Sequence, residues 1–308
     1  MKKLIKTVLF IFIFVILLIL ATNILVLKGN YYGTDVISFY KVPKNTLDII
    51  FLGSSHSYAT FSPEIIKNQT GMNSYNFATQ QQPTYITYHY MVEALKYQKP
   101  KYFIVEARMF AVDDEFTSEG VIRDAIDKMR LSKNKIEAIS VSVPNKSDRI
   151  SYYFNIIKYH SRYKDITKDE LIDGLLYRGI NTDGFIALDP NNDVIINNKD
   201  IIKNNNTKKI SKKNLLYLNK MIKLADKENI KLIFVKSPCQ LTNKDQEKYN
   251  WLTNYLNKKG IEFINYNLYE KELHLIKGDF YDAGHLSYTG AKKLSEIFSS
   301  YIIKQEKK

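Results

Sequence analysis

Five short, mainly apolar runs separated by stretches of helical periodicity constrain the fold of this 308-residue chain most strongly. The runs occupy residues 48–52, 74–77, 102–106, 231–236 and 262–265. The first is apolar without interruption over 49–52, which is typical of a strand buried on both faces. Strands that alternate with helices are joined by right-handed crossovers into a parallel sheet. We therefore predict an α/β domain over residues 47–308 with a parallel five-stranded sheet.

The first run stops on Gly53-Ser54-Ser55. Open α/β sheets place their ligands at the carboxyl ends of parallel strands, so Ser54 or Ser55 is a candidate nucleophile. Serine after glycine is also ordinary turn chemistry. This segment alone leaves both interpretations open.

A second polar segment, Asp282-Ala283-Gly284-His285, lies just before an amphipathic helix for which Ser287 is a suitable N-cap. A carboxylate three residues before a histidine can accept the imidazole N–H and fix its tautomer, which leaves the other ring nitrogen free to act as a base. The alternative is a surface histidine that happens to lie near an aspartate.

Taken together, the two segments resemble the SGNH, or GDSL-like, superfamily of hydrolases and acyltransferases. Gly53-Ser54-Ser55 matches its first block, and Asp282-Ala283-Gly284-His285 matches its last, Asp-x-x-His block. The resemblance implies a flavodoxin-like, three-layer α/β/α sandwich in which Ser55 is the nucleophile, His285 the base and Asp282 its orienting carboxylate. We expect no metal or organic cofactor, because no cluster has metal-ligand spacing.

The family's oxyanion hole includes the amide of a glycine that follows the second strand, and Gln81 occupies that position here. A backbone N–H is independent of the side chain, provided that the turn needs no positive φ. The resemblance therefore implies that the Ser55 and Gln81 amides form the oxyanion hole. Neighbouring Gln80 is a candidate for substrate binding, and a solvated loop is the alternative.

The family's Gly-x-Asn-Asp block is absent after the third run, which ends in Glu106-Ala107-Arg108. This departure resembles a branch of membrane-anchored proteins that includes the D-alanyl transfer protein of the teichoic acid pathway and the alginate O-acetylation proteins. Arg108 is a candidate for holding an anionic substrate group, and a structural ion pair with Glu106 is the alternative. Gln240, after the fourth run, is another candidate for substrate binding, whereas we expect neighbouring Cys239 to be a buried thiol.

Residues 7–27 contain no charged side chain and are long enough as a helix to cross a hydrocarbon core of about 30 Å. Three lysines precede this segment, at Lys2, Lys3 and Lys6. We predict a membrane anchor over residues 1–27, with the amino terminus in the cytoplasm and the domain outside. A cleaved signal peptide is the alternative. Residues 28–46 form a tyrosine-rich connector.

The formal net charge is +13. We expect no nucleic-acid partner, since the chain has no nucleic-acid-binding motif and its domain is placed outside the cell. Anionic lipid headgroups or wall polymers fit this charge, and a lysine-rich composition scattered over a solvated surface is the alternative. The frequent use of lysine, asparagine, isoleucine and tyrosine is typical of a low-GC, Gram-positive-like bacterium.

Residues 111–206 depart from the strand–helix alternation, and we predict a mainly helical insertion between the third and fourth strands. Such an insertion is placed to act as a lid or an acceptor-binding wall; helical core packing of its aromatic residues is the alternative. We assign structural roles to His89 and His160.

The predicted function is serine-dependent transfer of an O-acyl or D-alanyl group onto or from a cell-envelope polysaccharide or teichoic acid, with a polytopic membrane O-acyltransferase as a possible partner. An extracytoplasmic carbohydrate or lipid esterase is the first alternative. An anchored binding module without catalytic activity is the second.

Overall fold

The computed structural model describes residues 1–26, 36–113, 117–176 and 182–307. The end of the predicted anchor at residue 27, residues 28–35 of the connector and residues 114–116 and 177–181 of the insertion lie outside the described residues. The predicted parallel five-stranded sheet is confirmed, with the strand order β2-β1-β3-β4-β5 of flavodoxin-like folds. The strands are β1 (Ile49–Gly53), β2 (Ser74–Ala78), β3 (Tyr102–Glu106), β4 (Lys231–Lys236) and β5 (Glu262–Asn265).

Helices surround this sheet. The α-helices are α1 (Lys2–Leu25), α2 (Val36–Phe39), α3 (Ser55–Tyr58), α4 (Pro63–Thr70), α5 (Thr84–Ala94), α6 (Glu119–Ile126), α7 (Lys133–Ser142), α8 (Ile150–Tyr153), α9 (Ile156–Tyr159), α10 (Lys168–Leu176), α11 (Lys212–Lys227), α12 (Asn243–Asn257), α13 (Glu270–Leu273) and α14 (Tyr288–Glu306). Short 3-10 helices occupy Arg108–Phe110, His160–Lys164, Ile201–Lys203 and Tyr266–Leu268.

Alternate residues of each strand point to opposite faces of the sheet, and both faces are buried. On β1, Ile50 and Leu52 join a core that includes residues of α5, α11 and α12. Ile49 and Phe51 join a second core with residues of α4 and α14. Each such side chain contributes roughly 1.5–3 kcal/mol when it is fully buried. The result is the predicted three-layer α/β/α sandwich.

Polar side chains define where several helices begin. The Ser287 hydroxyl accepts from the Gly290 amide at the start of α14, as predicted. Ser211 caps α11 in the same way. Thr242 and Asp245 form a reciprocal capping box at the start of α12. These caps fix the residues at which α11, α12 and α14 begin.

Helices α6 to α10 lie in the long connection between β3 and β4. Residues 182–188, which we call the return segment, bring the chain back along the outer side of β2. There the Asn76 amide donates to the Asp183 carbonyl at 2.9 Å. Gly184 has φ +75°, and a Cβ at this position would lie 2.1 Å from the Asn76 carbonyl oxygen. Only glycine fits this approach.

Helix α1 has a mean hydropathy of 3.1 over its most apolar window, and only 6% of that window is buried. Among the described residues it is the one helix long and apolar enough to cross a membrane. By length and composition, it is either a membrane anchor or a signal sequence. It packs against α9 and α10 of the insertion, and Leu25 at its carboxyl-terminal end is buried with Tyr159 of α9.

Candidate active site

The candidate site begins with the tight turn that joins β1 to α3. Gly53 ends β1 with φ +134°, and a Cβ at this position would lie 3.1 Å from both the Cβ and the carbonyl oxygen of Glu106. The close contact between the ends of β1 and β3 therefore requires glycine. The chain then turns into α3, whose first residue is Ser55. Ser54, the other candidate nucleophile, is buried, and its hydroxyl has no partner among the described residues.

Ser55, His285 and Asp282 come together at the carboxyl edge of the sheet. The Ser55 Oγ lies 2.7 Å from His285 Nε2. The other ring nitrogen, Nδ1, lies 2.9 Å and 3.0 Å from the two carboxylate oxygens of Asp282. An ionised carboxylate can only accept, so these partners assign the proton to Nδ1 and leave Nε2 to accept from the serine hydroxyl. This arrangement can remove a proton from Ser55.

The turn before α14 holds Asp282 in place through its own backbone. Asp282 Oδ1 accepts from the Gly284 amide at 2.7 Å and from the His285 amide at 2.8 Å. The Tyr281 amide donates to the His285 carbonyl at 3.0 Å, which closes the turn. The carboxylate is thus oriented towards the imidazole before any substrate binds.

A cavity of about 240 Å³ opens beside Ser55. Its lining consists of Ser55, Tyr58, Gln80, Leu188, Tyr281, Asp282 and His285. Leu188 comes from the return segment, so the insertion contributes one wall. The volume is below the roughly 300–1,000 Å³ of pockets that enclose drug-sized ligands, and it suits a small group.

Sequence reasoning missed a buried cation near Ser55, Lys236 at the end of β4. Its Nζ lies 3.1 Å from Glu106 Oε1, 2.7 Å from the Ser237 carbonyl oxygen and 3.4 Å from His56 Nδ1. The side chains of Lys236 and Glu106 are both completely buried. The signal in the sequence was a charged residue at the end of each of two adjacent apolar strands.

His56 was missed as well, although it directly follows Ser55. Its ring centroid lies 4.8 Å from that of His285. Burial, and next the positive charge of Lys236, lowers the pKa of His56 well below its usual value. His56 is therefore a neutral ring between the buried ion pair and the histidine that contacts Ser55.

A protein-family model matches residues 191–307, a little over a third of the chain. A search among curated proteins finds no match. Among solved structures, a protein assigned to the G-D-S-L family of lipolytic proteins, from Desulfitobacterium hafniense DCB-2, is 11% identical with a TM-score of 0.42, and the match covers 83% of this chain and 99% of that one.

Two esterases are also similar in structure. A family two carbohydrate esterase from Clostridium thermocellum, in complex with cellohexaose, is 10% identical with a TM-score of 0.36, over 85% of this chain and 66% of that one. An acetyl xylan esterase from Butyrivibrio proteoclasticus is 10% identical with a TM-score of 0.36, over 86% of this chain and 65% of that one. This chain thus spans slightly less than two thirds of each esterase.

Gln81 adopts the backbone conformation that favours glycine. Its φ is +48°, so the condition that the turn needs no positive φ is not met. A non-glycine residue in this region costs roughly 1–2 kcal/mol. Gln81 is exposed, and neighbouring Gln80 is the one that lines the cavity. The third glutamine, Gln82, is buried and hydrogen-bonded to Thr79 and Thr87.

Arg108 lies outside the cavity lining and pairs with Asp245 through a contact of 3.0 Å from Nη1 to Oδ1. The alternative prediction, an ion pair between Arg108 and Glu106, is wrong. Glu106 instead pairs with Lys236, and from Arg108 it accepts only the backbone amide, at 2.8 Å. Because the chain turns sharply after β3, the Arg108 guanidinium points away from the end of the strand and towards α12.

Gln240 also lies outside the cavity lining, and its side chain donates to the Asn197 carbonyl at 3.1 Å and to Asn198 Oδ1 at 3.0 Å. Its backbone amide donates to the Ala283 carbonyl at 2.7 Å, so it supports the turn that carries Asp282. Cys239 is a free, buried thiol, as predicted.

The remaining histidines that we assigned to structural roles lie away from the cavity. His89 is buried against Asn134 Oδ1 at 2.7 Å, and His160 contacts the Ile157 carbonyl at 3.0 Å. Within the described ranges, no group of three or more histidine, cysteine or acidic side chains is placed to hold a metal ion.

Proposed function

We propose that this protein is a serine-dependent acyl-transfer enzyme of the SGNH type. The observation that carries the proposal is the contact of 2.7 Å between Ser55 Oγ and His285 Nε2, with Asp282 on the opposite ring nitrogen. The location supports it, because the three side chains line a cavity at the carboxyl edge of a parallel sheet. The Gly-Ser-Ser and Asp-x-x-His blocks support the SGNH assignment.

The reaction begins when His285 Nε2 removes the Ser55 proton as Oγ attacks the carbonyl carbon of an ester or thioester. Asp282 stabilises the resulting imidazolium. His285 then returns the proton to the leaving oxygen or sulfur, and the acyl group remains on Ser55. An acceptor hydroxyl repeats the steps in reverse and receives the acyl group. Water in place of the acceptor gives hydrolysis.

Two backbone amides, those of Ser55 and Gln81, are proposed to receive the developing oxyanion. Gln81 adopts the positive φ that the family's glycine can adopt, so its amide can take the place of the glycine amide, at a strain cost of roughly 1–2 kcal/mol. The asparagine donor of the family's hydrolases is absent after β3. Since one oxyanion donor contributes roughly 2.7–4 kcal/mol, we expect slow turnover on small activated esters.

A cell-envelope acceptor is proposed from α1 and from charge. Helix α1 as a retained anchor would hold the domain at the outer face of the membrane. The formal charge of +13 is complementary to anionic wall polymers such as teichoic acids. The small cavity suits an acetyl or D-alanyl group better than a long acyl chain. A polytopic membrane O-acyltransferase is the proposed source of acyl groups.

The test compares release of the leaving group from an activated acetyl ester by the full-length protein, with and without a wall-derived glycan or teichoic acid. We expect slow release that the acceptor accelerates, with the acyl group recovered on the polymer. Ser55→Ala should reduce the rate by at least about a thousandfold, because the nucleophile is lost.

Two results would contradict the proposal in different ways. Acyl groups recovered only in water, whatever the acceptor, would make the protein an esterase. Equal rates for wild type and Ser55→Ala would favour the anchored binding module without catalytic activity.

A further inference from the structure

A second and larger cavity lies between α1 and the helical insertion, away from Ser55. Its volume is about 510 Å³. Helix α1 supplies an apolar wall that includes Val15, Leu18 and Ile19. The insertion supplies the facing wall, which includes Lys128 and Arg130. One side of the cavity is therefore apolar, and the other carries positive charge.

The cavity is bounded by direct contacts at the carboxyl-terminal end of α1. Arg162 Nη1 donates to the Leu25 carbonyl at 2.6 Å. Leu25 and Val26 are buried together with Tyr159 of α9. Because this end of α1 is fixed to the insertion, the cavity is a defined crevice rather than a gap beside a loose helix.

The position of the crevice along α1 sets its depth in a membrane, an argument that rests on the proposed anchor. The residues of α1 and its carboxyl-terminal end that line the crevice lie between Val15 and Val26. Eleven residues of helix rise about 16 Å, which is close to half of a hydrocarbon core of about 30 Å. The crevice would thus face the outer leaflet, with Val26 near the headgroups.

The charges at the crevice match a phosphate. The Arg130 guanidinium lies over the Tyr40 ring, 4.4 Å from its centroid, and its Nη1 donates to the Tyr97 hydroxyl at 3.2 Å. The one acidic lining residue, Asp127, already accepts from the Tyr159 hydroxyl at 2.5 Å and pairs with Arg123 at 3.5 Å. The unneutralised charge of the lining is therefore positive.

The surface around the crevice is unusually apolar for a protein face in water. Leu131 is 70% exposed and Phe154 54% exposed, and both line the crevice. Ile150 and Ile157 flank Phe154 and are about half exposed. Clustered exposed apolar side chains with basic neighbours are typical of surfaces that lie in a membrane interface.

We propose that this crevice binds one phospholipid of the outer leaflet. An acyl chain would lie against Val15, Leu18 and Ile19, and the phosphate would contact Lys128 and Arg130. Leu131 and Phe154 would be immersed beside it. The bound lipid would complete the contact between α1 and the insertion.

The first test places a fluorescent reporter at the crevice. The chain has one tryptophan, Trp251, so Trp251→Phe gives a background without tryptophan. In that background, Phe154→Trp in the full-length protein, reconstituted in nanodiscs with brominated acyl chains, should lose more than half of its fluorescence. Leu268→Trp is the matched control, because Leu268 is as exposed as Phe154. It follows β5, the edge strand on the opposite side of the sheet from β2. Equal fluorescence of the Phe154→Trp protein in brominated and ordinary lipid would overturn the proposal.

The second test distinguishes a binding site from simple contact with the bilayer. Native mass spectrometry of the detergent-solubilised full-length protein should show one retained phospholipid. We expect at least a tenfold loss of the lipid-bound species in Lys128→Gln/Arg130→Gln and, through filling of the crevice, in Leu18→Trp/Ile19→Trp. The control, Lys133→Gln, changes a lysine of the insertion that is outside the lining and 91% exposed, and should retain lipid.

Absence of a retained lipid in the wild type, or equal loss in the Lys133→Gln control, would overturn the proposal. Recovery of a mature protein without residues 1–25 would do the same, because α1 would then be absent from the crevice. Ser55→Ala should retain lipid as wild type does, so failure of the proposed acyl transfer and failure of lipid binding give different results.

Discussion

Two ion pairs near the end of β3 differ sharply in their surroundings, although their β3-side members are only two residues apart. Glu106 pairs with Lys236 at 3.1 Å, and neither side chain has any exposed area. Arg108 pairs with Asp245 at 3.0 Å, with the two side chains 32% and 14% exposed. The first pair lies behind Ser55 and His56. The second lies towards α12, outside the cavity lining.

The difference shows that burial, rather than distance, decides what an ion pair does for a protein. The two pairs have similar N–O distances. A fully buried charge is stabilised almost entirely by its partner, whereas water screens the attraction in a partly exposed pair. Breaking the buried pair of Glu106 and Lys236, which we call the inner pair, therefore costs much free energy. The pair of Arg108 and Asp245 is called the outer pair. Because Lys236 also reaches towards His56, breaking the inner pair should disturb the residue next to Ser55, the proposed nucleophile.

The largest expected effect follows removal of the buried cation. Lys236→Met keeps the length of the side chain but leaves the Glu106 carboxylate buried without a counter-charge, and we expect the free energy of unfolding to fall by about 3–5 kcal/mol. Urea denaturation monitored by circular dichroism measures the change. The paired variant Glu106→Gln/Lys236→Met removes both charges and should recover most of the loss. A loss below about 1 kcal/mol in Lys236→Met would mean that the pair is not ionised.

A smaller effect concerns pH. Burial and the charge of Lys236 lower the pKa of His56, and burial lowers the pKa of His89. Below about pH 6.5 the unfolded chain binds protons at these positions that the folded protein does not, so stability falls as the pH falls. Each histidine contributes a slope of up to about 1.4 kcal/mol per pH unit.

Denaturation midpoints of wild type, His56→Gln and His89→Gln between pH 7 and 5 measure these contributions. Each variant should show a shallower fall in stability than wild type. In Lys236→Met, the His56 contribution should shrink while that of His89 remains. An unchanged slope in His56→Gln would contradict a neutral, buried His56.

The smallest effect is expected at the outer pair. Arg108→Gln should cost less than about 1 kcal/mol, because solvent screens the pair. Asp245 is unsuitable for this test, since it also takes part in the capping box of α12. The kinetics of acyl transfer by Arg108→Gln test the alternative role of Arg108. An unchanged KM agrees with a structural pair, and a raised KM for an anionic acceptor would support substrate binding.

Local patterns predicted much of the fold. The observed strands agree with the five predicted runs to within one residue at every boundary, because each run is a signal carried by neighbouring residues in the sequence. The cap at Ser287 was predicted for the same reason. The proximity of Ser55 to His285 was predicted from resemblance, since 230 residues separate them.

Features that depend on how strand ends meet could not be predicted in this way. The partner of Glu106 was expected two residues away, at Arg108, and it lies 130 residues away, at Lys236. Only the neighbouring positions of β3 and β4 in the sheet bring these two charges together. The φ of Gln81 likewise depends on the path of a turn, and side-chain chemistry does not reveal it.

The return segment has a consequence for association between molecules. Strand β2 is at the edge of the sheet, and an uncovered edge strand can pair with a strand of another chain and start aggregation. The hydrogen bond from Asn76 to Asp183 occupies part of that edge, and the absent side chain of Gly184 permits it. A glycine far from Ser55 in the sequence thus helps to keep neighbouring copies of the protein from joining edge to edge.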